Sequence, residues 1–448
     1  MNLSGKIFYN DKDYPFVIDN QIVKLIGMPF EYFEDFRNVQ EAETIYGITS
    51  DNRYIVFMHC KFNSNFWGYV DSITTCGYAI SSSNMGNQFN FNFKKCSFTS
   101  DAINVFYSPQ KAIEHYTDFN DGNGQMEIKI QPFSENTKSF NYGDAECQIS
   151  ISRGVNLKKE LTAIGKVTTV FSMIYKSSQS IIRIIDNYCA IFDFLSFLNY
   201  SSSISFNDIY LSRKDDDGQY EKIADVHFFR KDTEYKNNGL SSVTIDDIPE
   251  NKLEALFSKV VSLRKSDGRL RYYFSKSNYK SECIDPGKWL IAAINFDGLF
   301  TSTFPDYKSN NKLSFCNVKR RILEEFDKNS VKIFSKQEKK YYNDFKNLII
   351  NYEGILEEKF NYLVKKNLSA LSTVLQYNEK KLNINSSDNY GKLYADYRNK
   401  IAHGSVEPLS NKEVAIYRLL IPMIYLLLLH SIDLTQDELK IIVDKLFR

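Results

Sequence analysis

Nothing in the sequence pairs its cysteines. The seven, at 60, 76, 96, 147, 189, 283 and 316, are odd in number, widely scattered and never in Cys-x-x-Cys. That excludes a disulfide framework and a zinc ribbon and leaves reduced, mostly buried thiols. Net charge is almost absent as well: 56 Lys and Arg against 55 Asp and Glu leave +1, so overall charge names no partner. There is no phosphate-binding glycine loop, no dinucleotide fingerprint and no cluster with metal-ligand spacing, so neither cofactor nor metal is expected. Internal repeats are missing too. The opening "MNLSGKIFYNDKDYPF" lacks the charged and apolar regions of a leader, and the longest apolar stretch, "LLIPMIYLLLLHSI" at 419–432, reads as too short to span a bilayer. A soluble cytoplasmic chain with no membrane partner is the expectation.

What is present is core-forming material. With 448 residues, 43% hydrophobic and 15% aromatic, the chain can fold as two or three domains. An α+β organisation follows from a change of period. Short β-branched and aromatic runs separated by turn residues fill the first 150 or so positions: "GKIFY", "QIVKLIGMPF", "ETIYGIT", "RYIVFMHCKF", "VDSITTCGYAI" and "QMEIKIQPF". Residues 157–200 read as more helical, and "IADVHFFRK" at 223–231 returns to strand. The predicted division is a β-rich region with inserted helices over 1–284 and an all-α bundle over 285–448. Charge changes sign near the same place: from Pro286 onward 25 basic residues face 19 acidic ones, leaving 31 against 36 before it.

The second region marks its helices explicitly. Asp285 is an N-cap followed by Pro286 at the first helical position, opening a helix with Trp289, Leu290, Ala293, Ile294 and Phe296 on its core side. Ser335/Glu338, Ser410/Glu413 and Thr435/Glu438 have capping-box spacing. The first of these heads a stripe, Tyr342, Phe345, Ile349, Tyr352, Leu356, Phe360 and Leu363, that predicts one helix of about eight turns. Pro422 is expected to kink the penultimate helix. Between these elements Tyr390, Tyr394, Tyr397 and Ile401 step by helical spacing from a start near Asp388, and Gly404 and Pro408 end that helix close to His403.

At that end lies "DYRNKIAHGSVEP", residues 396–408. Five residues of regular helix turn about 500°, leaving Arg398 and His403 about 140° apart, so the two converge only if the helix stops between them and the chain swings back. The plain alternative is helix-ending chemistry: a histidine suits the negative pole of the helix, and Arg398 can pair with Asp396 or Glu407.

"RNKIAHG" near the end of a helical bundle resembles the signature of HEPN ribonuclease domains, matched here by Arg398, Asn399, Ala402, His403 and Gly404. The whole layout, a β-rich first part and "KWLIAAINFDGLF" opening the bundle, is similar to the ApeA family of bacterial anti-phage defence proteins. Ser405 stands where antitoxin-paired HEPN toxins carry a tyrosine, so modification at that position is not implied. The resemblance implies a homodimer through the HEPN domain, a composite site with Arg398, Asn399 and His403 from each chain, and RNA, tRNA first, as substrate, with a phage-derived trigger.

The residues themselves fit metal-free RNA cleavage. It needs a base for the 2′-hydroxyl, an acid for the leaving 5′-oxygen and a cation for the phosphorane. His403 is assigned the proton transfers, Arg398 the phosphate and Asn399 an orienting hydrogen bond. Lys319, Arg320, Arg321 and Lys400 are candidate RNA contacts, although such doublets and triplets are usually solvated faces. His59-Cys60 sits on a strand, where neighbours face opposite ways, and is not read as a catalytic pair. Two other classes stay open: a non-catalytic HEPN-type RNA- or protein-binding dimerisation module, and a small-molecule enzyme in the first region, for which no constellation is visible.

Overall fold

Alternating apolar and polar residues build a small closed barrel at the start of the chain. This computed structural model describes residues 3–19, 21–26, 41–64, 70–82, 90–118, 125–130, 136–153, 167–229, 242–266, 284–307, 312–329, 336–351, 356–384, 389–402 and 408–447. It divides into two compact units, Met1–Tyr279 and Lys280–Arg448. In the first, β1 (Ser4–Tyr9), β2 (Lys12–Asp19), β3 (Ile22–Leu25), β4 (Glu41–Thr49), β5 (Tyr54–Ser64), β6 (Val70–Thr74) and β7 (Gly77–Ser81) pair antiparallel. The order β5-β4-β1-β2-β3-β6 closes back on β5. Tyr14, Phe16, Val23, Ile55 and Phe57 fill the inside, and closure leaves these six strands no exposed edge.

β5 does two jobs. Its residues 55–58 pair with β7 and its residues 61–64 with β6. His59 lies between, at φ +48°, a left-handed position that redirects the strand where it changes partner. His59 is exposed and Cys60 buried, as the alternation requires, and burial pushes the Cys60 thiol up to about 12.

From β7 the sheet runs on through β15, β14, β8, β13 and β12 to β11. These are β8 (Phe93–Thr99), β11 (Thr137–Tyr142), β12 (Ala145–Arg153), β13 (Val167–Gln179), β14 (Asp208–Lys214) and β15 (Tyr220–Phe228), while β9 (Ile113–Asp118) and β10 (Gln125–Ile130) form a separate hairpin. The helices α1 (Asp101–Phe106), α2 (Arg183–Asn199) and α3 (Leu253–Ser266) complete this unit. They bring Phe106, Phe194 and Phe257 into one aromatic cluster with Phe140 and Phe171 of the sheet.

The helical reading of 157–200 is half wrong. Residues 167–179 are strand β13 and only 183–199 are helix; 157–166 lie outside the described residues. β13 is central, with β12 on one side and β8 on the other, and residues 169–173 are all buried. A strand covered on both faces loses the alternation that identifies it, leaving only its β-branched and aromatic content as a signal.

The elements described in the second unit are helices: α4 (Pro286–Thr303), α5 (Lys312–Asn329), α6 (Lys336–Asn351), α7 (Leu356–Lys366), α8 (Leu368–Leu382), α9 (Tyr390–Ala402), α10 (Asn411–Leu429) and α11 (Gln436–Phe447). α10 is the core, buried without a break from Leu419 to Leu429, with α4, α8, α9 and α11 packed on it. Asn411–Ile432 is in fact long and apolar enough to cross a membrane by length and composition, contrary to the shorter stretch read at 419–432, and most of it is buried within this unit.

The caps are as read. Asp285 accepts from Lys288 N at 2.9 Å, Ser410 N donates to Glu413 Oε2 at 2.8 Å, and Thr435 N to Glu438 Oε2 at 2.7 Å; Ser335 lies outside the described residues. Of the expected eight-turn helix, α6 and α7 are described and residues 352–355 between them lie outside the described residues, while Phe345 of the expected stripe is 59% exposed. In α4 the buried line is Trp289, Ala293, Phe296 and Phe300. Ile294, placed in the core from sequence, is exposed because it lies about 100° further round the helix than Ala293.

Candidate active site

Helix α9 places the candidate residues by burying everything opposite them. Asn389 caps its start, accepting from Lys392 N at 3.0 Å; Asp388 is outside the described residues. Gly391 then lets α9 meet α7 backbone to backbone. A Cβ there would sit 2.2 Å from the Glu357 carbonyl oxygen, so no larger residue fits without moving a helix. Asn361 on α7 accepts from Gly391 N at 2.9 Å and donates to Asn389 at 2.8 Å, fixing the register of the crossing.

One turn on, Tyr394 is fully buried. Its ring stacks on Phe360 with centroids 4.8 Å apart and on Trp289 at 5.7 Å, and its hydroxyl donates to the Ala293 carbonyl at 3.2 Å. Tyr397 meets the Trp289 ring edge to face at 4.8 Å, and Trp289 Nε1 donates to the Glu413 carbonyl of α10 at 3.2 Å. The stripe Tyr390, Tyr394, Tyr397 and Ile401 is buried as the spacing required.

Arg398 is half-buried, one turn beyond Tyr394, and Asn399 and Lys400 are exposed. An Arg398 guanidinium nitrogen lies 3.4 Å from Asn399 Oδ1, a long contact that puts both polar heads together. Burial pushes the Tyr394 phenol far up and Asp297 of α4 adds to it, while the Arg398 charge pulls the other way. Asp297 is held by Lys359 of α7, whose Nζ lies 2.7 Å away and also donates to Thr301 at 3.2 Å. The last turn of α9 thus carries a guanidinium, an amide and an ammonium on a helix anchored by four aromatic rings. His403 lies outside the described residues.

Lys319, Arg320 and Arg321 are on α5, where Arg320 Nε faces Glu324 Oε1 at 3.8 Å one turn along. α5 packs on α6, whereas α9 packs on α4, α7 and α10. Among the described residues, then, the main packing partners of the triplet's helix and of the helix carrying Lys400 differ. Sequence reasoning missed Asp297 and Lys359, which are 62 residues apart and have no local motif to announce them. His227 rests on Tyr78 with centroids 5.0 Å apart, and His430 lies against Phe304 at 4.8 Å. No group of three potential metal ligands occurs among the described residues.

The family model of ApeA N-terminal domain 1 matches residues 18–259, more than half of the chain. The chain belongs to the ApeA family. No curated protein and no solved structure matches it. The match covers nearly all of the β-rich unit and stops short of the helical unit, so membership identifies an ApeA-like defence protein through its first unit. The chemistry of α9 has to be argued from its own residues.

Proposed function

We propose that this ApeA-family protein is an endoribonuclease of anti-phage defence whose helical unit is a HEPN domain. It works without a metal, cuts host RNA, tRNA first, and arrests the infected cell. The observation that carries the reading is the placement of a half-buried Arg398 beside an exposed Asn399 on the final turn of a helix whose opposite side is locked by Trp289, Phe360, Tyr394 and Tyr397. A rigid support for a partly exposed cation is what stabilising a phosphorane requires. Arg398 holds the phosphate, Asn399 orients it, and His403 moves the protons, yielding a 2′,3′-cyclic phosphate and a 5′-hydroxyl.

One chain supplies one such histidine, so two chains facing each other complete the acid and base pair. A heterodimer of wild-type and His403→Ala chains, purified through two different tags, is then expected to cut RNA at a small fraction of the wild-type rate; half the wild-type rate means independent sites. The reading itself is tested by incubating purified protein with total RNA in EDTA and mapping new 3′ ends. Cyclic-phosphate ends formed in EDTA support it, and strict dependence on added Mg²⁺ overturns the mechanism.

A further inference from the structure

Strand β13 is longer than its neighbour can pair. Its ladder with β8 jumps from Ile174 opposite Lys95 to Gln179 opposite Phe93. Residues 175–178 therefore face a single β8 residue, Lys94. This wide bulge pushes β13 away from β8 at the ends of the strands, where a cleft of about 680 Å³ opens. Lys94, Ile174, Lys176, Lys214 and Tyr220 line it together with Glu146 from the start of β12.

Charge in this cleft is unbalanced. Lys214 and Lys95 approach the Tyr220 ring, with Nζ 5.5 and 5.3 Å from its centroid, so two ammonium groups flank that phenol, while Lys94 and Lys176 line the cleft with Lys214. Two carboxylates are near. Asp144 is drawn to Arg183 at 3.4 Å, and Glu146 accepts from Gln148 at 3.0 Å. Among the described residues none of the four lysines forms an ion pair. Three lysines thus line the cleft against two carboxylates, and that excess of positive charge favours an anion.

We propose that this cleft binds a small phosphate-bearing ligand of nucleotide size, with Lys94, Lys176 and Lys214 on its phosphates. Lysine ammoniums act as adaptable point charges for phosphate. The volume falls within the range of about 300–1,000 Å³ usual for small-molecule sites and exceeds what a lone phosphate needs. The site belongs entirely to the β-rich unit and does not depend on the ribonuclease reading. It gives the family-defining unit a chemical input of its own.

The test is calorimetric titration of the full chain in EDTA at low salt, first with inorganic pyrophosphate and then with ATP. Both are expected to bind saturably at one per chain, ATP more tightly. Lys176→Glu and Lys214→Glu are each expected to weaken binding about tenfold or more, the usual cost of losing a charged hydrogen bond. Glu146→Gln is expected to strengthen it. Lys61→Glu, on β5 outside the cleft, is expected to change nothing. Lys176 is exposed, so its variants fold, and a melting curve confirms that. Absence of saturable binding with pyrophosphate overturns the site. So does an equal loss in Lys61→Glu, and ATP binding no tighter than pyrophosphate overturns the nucleotide-sized ligand.

Discussion

The two units carry their information in opposite ways. The β-rich unit is held by pairings between distant residues, such as Ala145 with Tyr175 and Val226 with Ala79, and its family signature is spread over residues 18–259. No short stretch of it names a reaction. The helical unit compresses its candidate chemistry into 398–403, and beneath that lies a scaffold of aromatic contacts. In the first unit identity survives many single changes, whereas in the second one substitution should remove function and leave the fold.

The largest effect expected from that contrast is on catalysis. Arg398→Ala or His403→Ala should each lower RNA cleavage by about 10²–10⁴-fold, the usual weight of a proton-transfer group or an electrostatic one. Both variants should melt close to the parent, because Arg398 is only half-buried at the end of α9 and His403 follows its last residue in sequence, neither being part of its aromatic anchor. Initial rates on a labelled RNA and thermal unfolding measure the two halves of the statement. Parental rates in either variant would make the pair structural and favour the binding-module reading.

Next in size is the scaffold under those residues. Gly391→Val drives a side chain into the Glu357 carbonyl, where even a Cβ would stand at 2.2 Å. Overpacking of this kind costs about 1–3 kcal/mol or more, and at about 2–4 °C per kcal/mol for a unit of this size the shift is measurable by calorimetry. The helical unit alone should lose stability, with cleavage falling as α9 shifts. An unchanged melting curve would mean that α7 and α9 are not locked at this crossing.

Such crossings mark where the sequence stopped being legible. Caps were readable because an N-cap and its partner are three residues apart, as in Ser410 and Glu413. The tyrosine stripe of α9 was readable because a helix repeats over a few residues. β13 was not, since burial on both faces erased its period. Nor was the pair of Lys359 with Asp297, which only tertiary packing of α7 against α4 creates. Ile294 was misplaced by one residue of rotation, a distinction that an apolar count on α4 does not make. The cleft at the β13 bulge left no sequence trace, because a register jump depends on two strands at once.

Thiol chemistry tests the β-rich unit directly. Burial holds Cys60 and Cys96 up at about 12, so at pH 8 about one in 10⁴ is thiolate, against about a quarter for a free cysteine. Native-state labelling of these two positions, read by mass spectrometry, should run at least 10³-fold slower than in the denatured chain. Rapid labelling of Cys60 would mean that the barrel opens readily.

The smallest effect compares one buried phenol in each unit. Tyr394 donates to the Ala293 carbonyl at 3.2 Å and Tyr175 to Asn187 Oδ1 at 2.7 Å, and each bond is worth about 1 kcal/mol net. Burial is the main cause that pushes both phenols above the ordinary tyrosine value. As pH rises through about 10, the unfolded chain releases these protons first while the folded chain keeps them, so each tyrosine's contribution is complete below about pH 10 and declines above it. Tyr394→Phe should cost the helical unit about 1 kcal/mol at pH 7 and flatten its alkaline loss, leaving the β-rich transition where it was. Tyr175→Phe should do the reverse. Unfolding followed by calorimetry from pH 7 to 11 reads both, and a single shared transition that shifts equally for either variant would show that the two units unfold as one.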